Sequence, residues 1–379
     1  MVNRHIDNQT SPCNPPQRSG ARRLSALAVV ALLLLTIGVS SAAAAVPRTF
    51  FGISVVRPNA SDFKGIANKV DAGSVRIEIA WPSVQGKKNA PFFWDNIDKR
   101  FRQAATYGLR PQPVLFGTPE FISHTPGVIT PPVKNKKQLK QWQSFARAAA
   151  KRYGPGGTFW DEAPALNSGL APKNWIVWNE QNARAYWSPK ASPKKYAKLL
   201  EASRKGFDAA DPGILMTVGG MFGYPENRNS IQMKTFLKKL YRVKGAGKLI
   251  DGVSLHPYAG NIGAVKEQVS DARKVMDHSG DRNAKIIIGE IGWASGGSPK
   301  DYFLIKNKKG QDRLLKQSYN LFLHKRKAWG ITSAYWFTYR DYGGNEVCNW
   351  CPKAGLLTKK GKFKPAGDSY KKLVAKKAG

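Results

Sequence analysis

One regularity constrains this chain more than any other. From residue 46 onward, short apolar runs alternate with amphipathic stretches, eight times over. The runs are 51–55, 74–79, 111–116, 175–178, 214–218, 252–255, 285–289 and 333–337. Most are short, apolar and β-branched, as parallel strands covered on both faces should be. Between them, 95–107 gathers Ile97, Phe101, Ala104 and Ala105 on one helical face, and Leu139, Trp142, Phe145 and Ala149 mark another helix ended by Gly154-Pro155. Stretches 195–207, 231–243, 264–276 and 312–329 repeat the pattern, and 369–377 closes the chain. Eight strand-then-helix units in an uninterrupted series predict an α/β fold, a (β/α)8 TIM barrel. An open doubly wound sheet is the alternative, but no GxGxxG opens a helix after the first strand. No Pro-, Gly- or Ser-rich linker divides residues 46–379, which read as a single domain.

Residues 1–45 read as a signal peptide. Arg18, Arg22 and Arg23 precede an apolar run over 24–39, and Ala43 and Ala45 supply the small-x-small pattern that places cleavage before Val46. The run has 16 residues, short against the roughly 20 that span a bilayer. A secreted protein is expected, with a retained membrane anchor as the alternative. Cleavage removes Cys13 and leaves Cys348 and Cys351. A CxxC pair suits a redox site or half a zinc site, yet no second ligand pair lies nearby and no thioredoxin-like context follows. In an oxidising compartment the pair reads as a small loop disulfide.

The charge is large: 61 Lys and Arg against 25 Asp and Glu, +36 in all. Only four Arg and one Asp fall in the first 45 residues, so the excess belongs to the body of the protein. With 42% hydrophobic and 11% aromatic residues, a disordered polycation is excluded. The Lys and Arg are scattered over expected helices and loops, the solvated outside of a barrel. They suit retention on an anionic cell-wall surface or attraction of an acidic polysaccharide. No nucleic-acid-binding motif is present, and a monomer is expected.

Barrel chemistry sits at the carboxyl ends of the strands. The fourth run ends Trp178-Asn179-Glu180 and the seventh Ile288-Gly289-Glu290. Two glutamates facing each other across the barrel mouth are what glycoside cleavage needs: one acid protonates the leaving oxygen while a carboxylate attacks the anomeric carbon. Arg76 and Glu78, two apart in the second run, share a face, so an ion pair between them is the structural reading. Five histidines without HExxH point to no metal, and no cofactor is expected.

Further residues follow in order. Arg76 lies within Val75-Arg76-Ile77-Glu78-Ile79-Ala80-Trp81, His256-Pro257-Tyr258 ends the sixth run, and Trp336 lies within Ala334-Tyr335-Trp336-Phe337. Gly355-Leu356-Leu357 and Lys364-Pro365-Ala366 precede the last helix. With Asn179-Glu180 and Glu290, these resemble glycoside hydrolase clan A, most closely families 39 and 5, over residues 50–376. The resemblance implies a retaining hydrolase of O-glycosyl bonds in β-linked glycans, working by double displacement without metal or organic cofactor. It implies Glu180 as general acid/base, Glu290 as nucleophile and Asn179 as partner of the sugar 2-hydroxyl. Arg76 would lie against Glu290, and His256 and Tyr258 would bond one glutamate or the other. Trp336 would be the apolar floor under the sugar, and Trp293, at a strand end, a further cleft aromatic. The rivals are a noncatalytic wall- or polyanion-binding barrel and a transglycosylase.

Overall fold

Eight parallel strands close into a barrel in chain order: β1 (Phe51–Ser54), β2 (Ser74–Ala80), β3 (Arg110–Phe116), β4 (Asn174–Asn179), β5 (Leu215–Phe222), β6 (Gly252–His256), β7 (Lys285–Ile291) and β8 (Ile331–Phe337). A principal helix follows each strand: α1 (Ala60–Asn68), α2 (Asp95–Thr106), α3 (Lys136–Tyr153), α4 (Pro193–Asp208), α5 (Met233–Tyr241), α6 (Ile262–His278), α7 (Lys308–Trp329) and α8 (Pro365–Lys377). This computed structural model describes residues 45–225, 227–299, 302–343 and 348–379, and Ala45–Gly379 forms one unit. The expected signal peptide, residues 1–45, lies outside the described residues except for Ala45. Among the described residues no helix is long and apolar enough to cross a membrane.

The apolar runs are the strands, with informative differences at their ends. β5 runs on to Phe222 where the sequence reading stopped at Val218, because Gly219-Gly220 stays in the sheet through a register shift between Val218 and Met221. The helix α1 was not foreseen. Its apolar stripe is only Phe63, Ile66 and Ala67, and its start is fixed instead by a capping box in which Asn59 and Asp62 bond each other's backbone N–H.

Val114, Ile176, Ile287 and Tyr335 form a small cluster of their own that fills the barrel. Tyr335 fits only because Gly52 faces it: a Cβ at residue 52 would sit 2.3 Å from the tyrosine ring. Strand alternation then fixes its neighbours. Phe337, two residues on, faces inward at the mouth, and Trp336 faces outward. Trp336 is fully buried, its ring 6.0 Å from Trp293, and its Nε1 donates to the Ala354 carbonyl at 3.1 Å. Trp293 is likewise fully buried, donating to the Ala259 carbonyl at 2.6 Å. The expectation that these two tryptophans form the sugar floor and cleft wall is corrected: both pack behind the sheet.

Candidate active site

At the carboxyl ends of the strands lies a cavity of about 650 Å³ whose lining includes Arg76, Asn179, Glu180, Tyr258 and Glu290. Asn179 and Glu290 reach it through breaks in strand alternation. On β4, Ile176 fills the barrel and Val177 packs outward, so regular pleating would turn Trp178 in and Asn179 out. Trp178 instead adopts a left-handed backbone, φ 71°, and its ring goes outward to Trp142 and Trp187, at 5.7 and 5.4 Å. Asn179 is thereby turned inward, and Glu180 follows with φ 44°. Left-handed backbone in side-chain-bearing residues costs about 1–3 kcal/mol each and persists only where the surroundings impose it. Here the Trp178 indole donates to the Tyr186 carbonyl at 2.7 Å, and the Glu180 N–H donates to the Gly220 carbonyl at 2.8 Å. On β7, Ile287 faces in and Ile288 out, and a register shift against β8 before Ile291 inserts Gly289-Glu290. That bulge brings Glu290 over the barrel mouth.

The groups around the two carboxyls bind them unequally. Arg76 donates through Nη1 to Glu290 Oε1 at 2.8 Å and through Nη2 to Asn179 Oδ1 at 2.6 Å. The Tyr258 hydroxyl donates to Glu290 Oε2 at 2.8 Å, and Ser54 Oγ to Oε1 at 3.3 Å. His256 Nδ1 lies 2.9 Å from Glu180 Oε1 and 3.6 Å from Glu290 Oε2. Its ring, fully buried, occupies space left by two glycines. A Cβ at Gly220 would fall 2.0 Å from Nε2, and one at Gly289 would fall 3.1 Å from it. One oxygen from each glutamate and a nitrogen of His256 lie within 4.8 Å of one another. Such a trio could hold a cation, but Arg76 already places a positive charge on Glu290 Oε1.

The environments push the two carboxyls apart. Burial raises Glu180 above the ordinary carboxylate range, only partly offset by the hydrogen bond and charge of His256. Burial also pulls Glu290 upward, but His256, Arg76 and the hydrogen bonds from Tyr258 and Ser54 together outweigh it and hold the carboxyl below the ordinary range. Between the two pKa values of a pair split in this way one proton is shared, and it sits on Glu180. Removing the positive charge in Arg76→Met should therefore move the acidic limb of any pH–rate profile to higher pH. It should also cost about 3 kcal/mol or more, because Glu290 is left buried without its cation. Because the Glu290 pKa is depressed, its contribution to stability is present above the ordinary carboxylate range and lost as pH falls through the folded value. Urea unfolding at pH 7 and at pH 3 should thus show a smaller deficit for the variant at the lower pH.

Of the residues singled out in the sequence, the structure brings Arg76, Asn179, Glu180, His256, Tyr258 and Glu290 together, and leaves Trp293 and Trp336 outside. The expected ion pair between Arg76 and Glu78 is not formed, since both Nη atoms of Arg76 are taken by Glu290 and Asn179. Glu78 lines the cavity instead. The aromatic wall is made by residues that were passed over. Phe337 and Trp350 line the cavity, and the Trp350 ring sits edge-on to Tyr258 at 5.0 Å and 5.5 Å from Phe337. Counting alternation from Tyr335 would have found Phe337. Trp350 stood in a motif read only for its cysteines; Cys348 and Cys351, joined by a disulfide, bracket it.

No protein-family model matches the sequence, and no curated protein is significantly similar to it. Solved structures do share its fold. A family 39 glycoside hydrolase from the gut symbiont Bacteroides cellulosilyticus WH2 superposes with TM-score 0.63 at 18% identity, over 87% of this chain and 64% of that one. A monomeric β-xylosidase from Caulobacter crescentus CB15 gives 0.62 at 18% identity, over 87% and 69%. A GH5_18 enzyme variant from Streptomyces cattleya, in complex with Manβ1-4GlcNAc, gives 0.62 at 14%, over 87% and 80%. The chain thus spans just under two thirds of the length of the first. These likenesses show a shared (β/α)8 barrel, and the families that the sequence resembles, 39 and 5, are both among them.

Proposed function

We propose that this protein is a retaining glycoside hydrolase that cleaves β-linked glycans by double displacement. The observation that carries the reading is the glutamate pair: two carboxyls with oxygens within 4.8 Å, one held protonated and the other ionised by their surroundings. Retaining enzymes hold their carboxyls about 5–5.5 Å apart, whereas inverting ones leave about 6.5–9.5 Å for a water. The spacing here supports retention.

In the first step Glu290 attacks the anomeric carbon as Glu180 gives its proton to the departing glycosidic oxygen. The C–O bond breaks and a glycosyl ester forms on Glu290. In the second step a water attacks the same carbon, Glu180 takes the water's proton, and the ester bond to Glu290 breaks. His256 Nδ1, 2.9 Å from Glu180 Oε1, keeps a hydrogen-bond partner on the acid/base. Arg76 and Tyr258 hold Glu290 ionised and aimed, which is positioning rather than bond-making. Asn179 has its Oδ1 taken by Arg76, so its Nδ2 is left to donate to a sugar hydroxyl beside the reacting carbon. Phe337 and Trp350 offer apolar surface to the sugar face. The glycans named with the fold relatives, Manβ1-4GlcNAc and xylotriose, are β-linked and support that linkage here.

The test is the configuration of the first product. Proton NMR of fresh digests from a panel of β-glycans should show the β-anomer before mutarotation; an α-anomer formed first would overturn the double displacement. Export is part of the proposal and rests on the apolar run over 24–39 and on Ala43-x-Ala45. N-terminal sequencing of protein recovered from the medium should begin at Val46.

A further inference from the structure

The walls of the cavity carry charge that double displacement does not use. Arg100, on α2, and Arg184, after β4, both line it. Among the described residues neither guanidinium forms a salt bridge, in contrast to Arg76, Arg152, Arg204 and Arg340, each of which is bonded to a carboxylate. The segment bearing Arg184 is fixed, its backbone N–H donating to Ser230 Oγ at 2.9 Å. Resting on the glycosidase reading, we infer that the substrate is an acidic β-glycan, and that Arg100 and Arg184 bind the carboxylates of its uronic-acid units.

The chemistry of the walls favours this over a neutral glycan. Neutral sugars are held by aromatic faces and by groups that both give and accept hydrogen bonds. A guanidinium only donates, in a planar fork that matches a carboxylate. Glu78, which lines the same cavity, is exposed and forms no salt bridge with Arg100. The guanidinium charge is then left to the ligand. The chain's excess of 61 basic over 25 acidic residues would draw a polyanion toward the mouth before any specific contact is made. Scattered surface lysines do not distinguish one acidic polymer from another, whereas two arginines lining the cavity can.

The test uses the full chain carrying Glu290→Gln, so that ligand is bound and not consumed. Calorimetry compares two matched β-1,4-linked pairs: glucuronan with cello-oligosaccharides, and mannuronan with manno-oligosaccharides, each of six sugars. In at least one pair the uronate should bind tenfold or more tightly than its neutral partner. Adding Arg100→Ala and Arg184→Ala should weaken that binding by tenfold or more, the scale of a lost charged hydrogen bond. Adding Lys136→Ala and Lys137→Ala, an equal change of charge at the start of α3, should leave it nearly unchanged. Should the double alanine variant fail to fold, Arg184→Gln at its exposed position must by itself reduce the preference. Equal or tighter binding of both neutral ligands, no binding of either uronate, or a preference that survives loss of both arginines would each overturn the inference. Hydrolysis of a neutral glycan by the wild type, dependent on Glu290, would then leave the glycosidase reading standing. Uronate bound but never cleaved would support the arginine site and count against the hydrolase.

Discussion

Glu290→Gln should lower turnover of a β-glycan substrate on the order of 10⁵–10⁶-fold, the scale of losing a covalent nucleophile, while the barrel stays intact. The amide is the same size and its oxygen can still accept from Arg76, so the cavity keeps its shape. What disappears is the negative charge that bonds to carbon, and among the described residues no other carboxylate is placed to replace it. Glu180 faces His256 and holds a proton, and Glu78 belongs to a different wall of the cavity. Reducing-sugar release from the panel, with circular dichroism and a melting curve on the same samples, checks this. A variant with wild-type turnover and a wild-type spectrum would sink the assignment of Glu290. One that is inactive and unfolded would not count, so the melting curve is needed alongside the rate.

Glu180→Ala should produce a loss that depends on the leaving group. A general acid contributes about 10²–10⁴-fold, and that contribution matters most where the departing oxygen is a poor leaving group, as in a natural glycan. With a dinitrophenyl glycoside, whose phenolate leaves without help, the first step should be nearly unimpaired and the second should stall for want of a base. Azide, which needs no proton removed, should restore turnover and give a β-glycosyl azide. Equal losses on both substrates, with the fold intact, would count against the role. The basic limb of the pH–rate profile should vanish in the same variant. Stability supplies a second check. Burial raises the Glu180 carboxyl, so its stabilising effect is full below the ordinary carboxylate range and is lost as pH rises through the folded value. The alanine variant should accordingly gain relative to the wild type on going from pH 4 to pH 8. The cavity it leaves at a site 9% exposed offsets part of the gain at every pH.

Much of this molecule was legible in advance, for reasons that can be named. Short apolar runs and period-3.6 amphipathic stretches are local properties, and eight such runs interleaved with seven amphipathic stretches leave little choice but a closed barrel. Glu180 and Glu290 stood out because barrel chemistry is confined to strand ends, and each glutamate closes an apolar run. Arg76 was legible for the opposite reason, as a charge within an apolar strand that must meet another group inside the barrel. The misreadings are equally specific. Trp336 was taken as the sugar floor on the resemblance alone, although one residue of strand reverses the face. Glu78 was given to Arg76 because they are two apart on one strand. The carboxylate that Arg76 meets lies 214 residues away, as the resemblance implied and as no local rule could. Trp350 was hidden inside a cysteine motif.

The division between sequence and structure falls at the breaks in alternation. By itself, the order of apolar and amphipathic segments determined the barrel, the strand on which each glutamate ends, and the large positive charge on the body of the chain. It could not determine that Asn179 and Glu290 point inward, because simple pleating along β4 and β7 turns both away from the mouth. The left-handed turn at Trp178 and the bulge before Ile291 reverse both. They persist only because Trp142 and Trp187 receive the displaced indole, Gly220 accepts the Glu180 N–H, and β8 holds the shifted register. Those partners come from helices and strands far apart in the chain. The inward turn of Asn179 and Glu290 is therefore a property of the closed barrel rather than of any segment in it.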